Sequence, residues 1–509
     1  MKSIYKLAAF SALFILSSCE RDLPRMLHYR SYAFTDLDPE AGSWKTVLDV
    51  SSVKVEAPAE VTSAAYQQEL TQLKADQKNI TPKQKEAIDY WTSNPVNRWN
   101  EIALDIITKY NLIPGPNEDG TYTLPNASNP AGPPPFPFAH PPYASRALSY
   151  LSVAQFDGLI LAWKYKYQYG RPAPYKADGG ITYAYEKDDL PSYPADGAVV
   201  AEASRAILSA MFPLEVLYLQ SMADQHLESV RLAGGAVKSD VEAGMKIGRE
   251  VAAIALQRAA NDGMKNAQAP KAVSDSLKTA AYKRFGWAWD NLEIPVRPVG
   301  LTPLFGKVKM WSIEKPELVR PGMPPALDSE KLKEDMKILQ GYSDSMNEVY
   351  RRIANYWEDG LGKYTPPGHW NRIAKEYIVQ YKMNPIRTAR VYAYLNMAVM
   401  DAGVSCWDTK YYYHYPRPIQ LMPKFRTILG TPNFPAYTSG HSVFSGAAAE
   451  VLAYVFPNEA ALMRNWAEEA AVSRLYGGIH WTFDATVGTE QGKNVASYTL
   501  NRARADGAD

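Results

Sequence analysis

The chain has 509 residues, with 55 Lys and Arg against 54 Asp and Glu and a formal net charge of +1. That balance argues against a nucleic-acid grip, which needs a concentrated basic surface, and a 46% hydrophobic content with 12 Trp, 34 Tyr and 14 Phe excludes a disordered chain. No glycine-rich phosphate loop and no paired CxxC occurs, so nucleotide-binding and structural-zinc classes have no support.

In chain order, the first feature is a leader. Lys2 and Lys6 precede an apolar run from Leu7 to Leu16 that is too short to span a bilayer. The ending Leu16-Ser17-Ser18-Cys19 resembles the lipobox of bacterial lipoproteins, which implies acylation of Cys19, export to the periplasm or cell surface, and membrane attachment by lipid alone. Acylation would leave Cys406 as the sole thiol and exclude an internal disulfide. Cys406 precedes Trp407 in an apolar stretch, as a buried filler does.

The body of the chain repeats itself. Residues 192–213 (SYPADGAVVAEASRAILSAMFP) match 436–457 (AYTSGHSVFSGAAAEVLAYVFP), with Tyr193 opposite Tyr437 at an offset of 244. The same offset relates Arg146 to Arg390, Asp157 to Asp401 and Trp163 to Trp407. Upstream, Trp99-Asn100 matches Trp370-Asn371 at an offset of 271, which places an insertion in the first copy at about Ile113 to Pro142. A duplicated unit accounts for these matches. Apolar spacing within each copy is helical, rich in Ala, Leu and Met, with Gly and Pro at the turns. The expectation is an all-α fold of two related bundles: leader 1–19, first bundle 20–262, a proline-rich connector 263–325 whose later part wraps the surface, and a second, catalytic bundle 326–509.

Three chemical signals lie in the second copy. Lys410 is followed by Arg417-Pro418; then comes Phe434-Pro435-Ala436-Tyr437-Thr438-Ser439-Gly440-His441; then Ser473-Arg474, His480 and Asp484. Lys410, Arg417 and Arg474 supply enough positive charge to hold an oxyanion, and the forked guanidinium suits its oxygens. Ser439-Gly440 opens a helix whose unpaired amides bind anions, with Gly allowing close approach. His480 offers a ring nitrogen, and Asp484, one helical turn on, can hold its other N–H. His441 is left as a proton shuttle.

The order and spacing of these signals resemble the phosphatidic acid phosphatase type 2 superfamily, which includes vanadium-dependent haloperoxidases. FPAYTSGH and HWTFDA are similar to the chloroperoxidase forms of the two motifs, although Thr438 stands where proline is usual. The resemblance implies vanadate bound through His480 and cradled by Lys410, Arg417, Ser439, Gly440 and Arg474. Hydrogen peroxide and halide would be the co-substrates, His441 and Asp484 would complete the catalytic set, and Phe434 would face the halide side. The detail leans towards the haloperoxidase branch, and the alternative within the same superfamily, which needs no cofactor, is an acid phosphatase in which His480 attacks a phosphomonoester. A third reading is a non-catalytic, glycan-binding surface lipoprotein, suited by the tyrosine content but not by the motif spacing.

The first copy lacks this set. Ala195-Asp196-Gly197 replaces Ser439-Gly440-His441, Arg231-Leu232 resembles Arg474-Leu475, and no histidine follows, so the first bundle reads as scaffold. Of the other histidines, His414 could line the pocket entrance and His369 suits capping or packing. His28, His140 and His226 have no partners at ligand spacing, and the carboxylates form no metal-binding pattern.

Overall fold

The computed structural model describes residues 32–509 apart from 35, 93, 185–188 and 294–295. The leader and Cys19 lie outside the described residues, as does His28. The described residues contain helices and no strands. Fifteen helices carry the fold: α1 (Ala64–Gln77), α2 (Pro82–Trp91), α3 (Pro95–Tyr110), α4 (Pro141–Tyr169), α5 (Asp196–Met211), α6 (Val216–Leu232), α7 (Lys238–Ala260), α8 (Lys271–Phe285), α9 (Glu330–Asp344), α10 (Glu348–Tyr356), α11 (Thr365–Gln380), α12 (Pro385–Tyr413), α13 (Gly440–Val455), α14 (Ala460–Tyr476) and α15 (Thr482–Ala503).

Local sequence sets the helix ends. Proline opens α4 and α12, where its missing N–H is no loss, behind the cap residues His140 and Asn384. Both helices run for 29 residues and end on a left-handed residue, Gly170 in one and His414 in the other. Helices α3 to α7 and α11 to α15 follow the same order, and α4 to α7 begin 244 residues before α12 to α15.

The correspondence extends to buried polar contacts. Arg146 Nε donates to Asp262 Oδ2 at 2.7 Å, and Arg390 Nε to Asp506 Oδ2 at 2.7 Å. Asp157 accepts from the amides of Val47 and Leu48, while Asp401 accepts from those of Trp311 and Ser312. Each carboxylate pins a bend of the chain onto its central helix, and burial raises both to about pH 7 against those amide bonds.

Glycine brings helices into backbone contact where the site is built. A Cβ on Gly446 would lie 2.5 Å from the Thr489 carbonyl oxygen, and one on Gly492 2.3 Å from that of Val443, so α13 and α15 cross with nothing between them. One continuous apolar core includes Leu151 and Phe156 of α4 together with Leu395 and Val399 of α12. The segment expected to wrap the surface does more than that. It contributes Phe305, Met310 and Ile313 to the same core, because its apolar residues sit against α12, and the connector also contains α8.

Candidate functional site

The second bundle gathers the predicted residues from three places: the end of α12, the loop into α13, and the turn joining α14 to α15. Lys410, in the last turn of α12, donates through Nζ to the Pro435 and Ala436 carbonyls, each at 2.8 Å. Arg417 donates from Nε to the Phe434 carbonyl at 3.1 Å and from Nη1 to that of Ile479 at 2.6 Å. Its Nη1 also lies 3.0 Å from His480 Nε2, while its Nη2 is buried with no protein partner. Arg474 is held by Ser473 Oγ and by the Ala354 carbonyl, each at 2.9 Å.

None of the three cations pairs with a carboxylate among the described residues. All are at most 1% exposed, so their charge is held away from water with no carboxylate in direct contact. Burial pushes Lys410 down to about 7 and Arg417 and Arg474 down to about 10.

His480 Nδ1 lies 2.8 Å from Asp484 Oδ2, which also accepts from the Trp481 amide at 3.1 Å. The carboxylate accepts a hydrogen bond from Nδ1–H, so Nε2 presents its lone pair towards Arg417. Burial, then Arg417 and Lys410, holds the imidazole well below its usual value and therefore neutral. Burial also raises Asp484, to about 7, against the pull of Lys410.

The Asp484 backbone carbonyl accepts from the Ser439 amide at 3.0 Å, tying the start of α15 to the start of α13. Ser439 caps α13 through Oγ, which accepts from the Ser442 amide at 3.4 Å. Gly440 is the first residue of that helix, where amide N–H groups are free to meet an anion. Thr438, in place of the expected proline, donates its hydroxyl to Gln491 Oε1 at 2.6 Å, so a side-chain bond steadies the loop. Phe434 lies with its ring 5.0 Å from Lys410 Nζ and 5.1 Å from the Arg417 guanidinium carbon. Its other neighbour is Trp407, at a centroid distance of 5.1 Å.

His441 has a buried Nε2 with no hydrogen-bond partner and lies 3.9 Å from Asp359 Oδ2. Burial, then Arg474 and His369, keeps its pKa well below the ordinary value. No sequence motif marks Asp359, which is far away in the chain. It sits at the left-handed φ of 47°, and its Oδ1 is 3.0 Å from His369 Nδ1. His369 also stacks on Trp357, with centroids 4.4 Å apart, in keeping with the packing role expected of it. Asp335 was likewise unmarked. It receives the Thr482 amide at 2.7 Å and so fixes the first turn of α15, which carries Asp484.

His414 stands outside this group. Its Nδ1 accepts from the Trp289 amide at 3.2 Å and its ring packs beside that indole, so it braces the connector instead of lining an entrance. Cys406 is fully buried, and burial raises its thiol, which makes it filler. His226 stacks on Trp91 and accepts from Trp99 Nε1 at 3.2 Å.

In the first bundle the position matching Arg474 is not Arg231. The left-handed glycines Gly234 and Gly478 fix the register, so Val230 stands opposite Arg474, and Arg231 pairs with Asp76 at the surface. A Cβ on Gly197, opposite His441, would lie 2.6 Å from Val230 Cγ2.

The comparisons with known proteins bear on the fold and on the carboxy-terminal region. Residues 390–503 match the model of the PAP2 superfamily. The vanadium chloroperoxidase of Curvularia inaequalis is 25% identical in an alignment of 195 positions that covers 30% of this chain and 32% of that protein, so the match spans about a third of the relative. Among solved structures, a bacterial vanadium-dependent iodoperoxidase superposes with a TM-score of 0.60 at 23% identity, over 80% of this chain and 96% of that one. A holo-type bacterial vanadium-dependent chloroperoxidase gives 0.50 at 14% identity, over 78% and 99%. These two likenesses are of fold. Residues 390–503 thus carry the PAP2 superfamily match, and the chain around them has the helical fold of the vanadium haloperoxidases.

Proposed function

We propose that the chain is a vanadium-dependent haloperoxidase-like enzyme that uses hydrogen peroxide to oxidise halide. The observation that carries this reading is the trio of buried, carboxylate-free cations around the neutral Nε2 of His480, with Arg417 Nη2 left unpartnered. A polyvalent oxyanion is the group that such a cup fits. His480 Nε2 would ligate vanadate, with Lys410, Arg417, Arg474, Ser439 and the Gly440 amide around its oxygens. Bound vanadate supplies a Lewis-acid centre that activates peroxide without changing oxidation state.

The protein's own groups perform the remaining tasks. Asp484 fixes the His480 tautomer by holding the Nδ1 proton. Lys410 and the two arginines stabilise negative charge that builds up on the oxyanion. His441 is neutral in the free protein, and its unpartnered Nε2 can take a proton from an incoming peroxide and return it to a leaving oxygen. Phe434 and Trp407 form the dry wall beside Lys410. We further propose the duplicated origin of the two bundles, and export with lipid attachment at Cys19, from the offset matches and the leader.

The test is bromination or iodination of an added organic acceptor by purified protein given orthovanadate, peroxide and halide. Activity that requires vanadate and is lost in His480→Ala supports the reading. Hydrolysis of a phosphomonoester that vanadate inhibits, with no halogenation, identifies the acid phosphatase instead. In that reaction His480 would attack phosphorus and His441 would protonate the leaving group.

A further inference from the structure

We propose that the cleft between the 113–142 insertion and the connector is a second binding site, independent of His480, that takes a small aromatic carboxylate. The cleft has a volume of about 1140 Å³, which is large enough for a bicyclic ligand. One wall is the insertion, which has no counterpart in the second bundle; the other is the connector at 297–302.

Its charge is one-sided. Arg146, Lys265 and Arg297 lie on the lining and no Asp or Glu does. Two of these cations are already spent. Arg146 is bound to Asp262 at 2.7 Å, and Arg297 is forked onto Glu293 at 2.6 and 2.7 Å. Lys265, exposed, makes no ion pair among the described residues, so it is the charge left for a ligand.

The floor supplies a directed donor. His140 is 6% exposed and lines the cleft, and its Nδ1 accepts from the Tyr143 amide at 3.4 Å as the cap of α4. With Nδ1 accepting, the proton belongs on Nε2, and that N–H has no partner among the described residues. Burial, then the nearby Arg297, pushes His140 down to about 3, so the ring remains a neutral donor. The imidazole stands edge-on to Phe138 at 5.0 Å, and Phe136 lies edge-on to Tyr143 at 5.9 Å. Both phenylalanines line the cleft, which gives a planar ligand aromatic surface to pack on.

The experiment is calorimetric titration of the full-length chain with naphthalene-2-carboxylate, using the uncharged carboxamide as control. Saturable binding is expected, with the carboxamide about tenfold weaker, the size of a hydrogen bond to a charged group. Lys265→Gln should weaken binding about threefold, as for an exposed charge. His140→Asn, which keeps a cap acceptor, should weaken it about tenfold, and Ala260→Trp should block the mouth. His480→Ala and excess phosphate should leave binding unchanged, so this proposal and the enzymatic one fail separately. Absence of saturation, equal binding of the carboxamide, displacement by phosphate, or indifference to Lys265→Gln in a folded variant would overturn the proposal.

Discussion

The two bundles build the same cradle and put it to opposite uses. In each, a lysine at the end of the long helix donates to a proline carbonyl: Lys166 to Pro191 at 2.6 Å, Lys410 to Pro435 at 2.8 Å. In each, the backbone carbonyl of an aspartate receives the amide just before the following helix: Asp240 from Ala195, Asp484 from Ser439. In the first bundle the chain then supplies its own anions. Asp196 lies 3.0 Å from Lys166, and Asp240 lies 2.9 Å from Arg171. In the second, Gly440 stands opposite Asp196, and an imidazole is interposed between guanidinium and carboxylate, giving Arg417, His480 and Asp484 in series at 3.0 and 2.8 Å. A cationic cup is therefore available to a ligand only where no residue neutralises it. A buried cation without a counter-ion is costly, and an external anion is what relieves that cost.

The contrast can be broken first at Gly440. A Cβ there meets nothing nearer than Trp407 Cζ3 at 3.9 Å, so Gly440→Asp fits and reproduces the Lys166–Asp196 pair. Vanadate or phosphate affinity should fall by about a thousandfold, the loss of close charge pairing plus added like-charge repulsion, with the melting temperature unchanged or raised. A variant that binds as tightly as wild type would refute the equivalence of the two cups.

On the other side, Asp240→Asn strands Arg171 in the interior and should cost about 3–5 kcal/mol of stability in chemical denaturation. Turnover per folded molecule should stay at the wild-type level; a selective fall would mean that the first cup takes part in the reaction.

The third measurement concerns protons. Free Lys410 sits at about 7, so it is charged below that pH and neutral above it. An anion that requires the charged form should lose affinity about tenfold per pH unit above 7 and take up a proton on binding. Titrations in buffers of different ionisation enthalpy read that uptake directly; no uptake at pH 8 would place the lysine's transition elsewhere. The smallest effect is expected at Thr438→Val, which leaves Gln491 Oε1 without its donor. About 1–3 kcal/mol should be lost, with the first bundle unperturbed in hydrogen exchange.

Much of the site is written locally. Lys410, Arg417, His480 and Asp484 are legible because helical periodicity and short turns fix their mutual spacing. The helical class followed from the same periodicity. What the sequence concealed depends on long-range packing. Asp359 and Asp335 reach the site from segments with no motif, 82 and 147 positions from the His441 and Thr482 they serve. The pairing of Arg231 with Arg474 was off by one position, since similarity of the letters RLAGG and RLYGG carries no φ angle. The left-handed glycine does. His414 looked like a lining residue from its place between Lys410 and Arg417. Its left-handed φ of 52° at the end of α12 turns it towards Trp289 instead.

The side-by-side packing of α4 and α12 has a practical corollary. Asn396 Nδ2 of α12 donates to Ser152 Oγ of α4 at 2.9 Å, and Phe156 meets Tyr394 edge-on at 5.9 Å. Cutting the molecule at the connector would strip each piece of its partner's apolar face and expose sticky surface to solvent. Attempts to produce the carboxy-terminal piece alone should end in inclusion bodies, and substitutions spread through the amino-terminal piece should alter the yield of soluble material more than the speed of the chemistry.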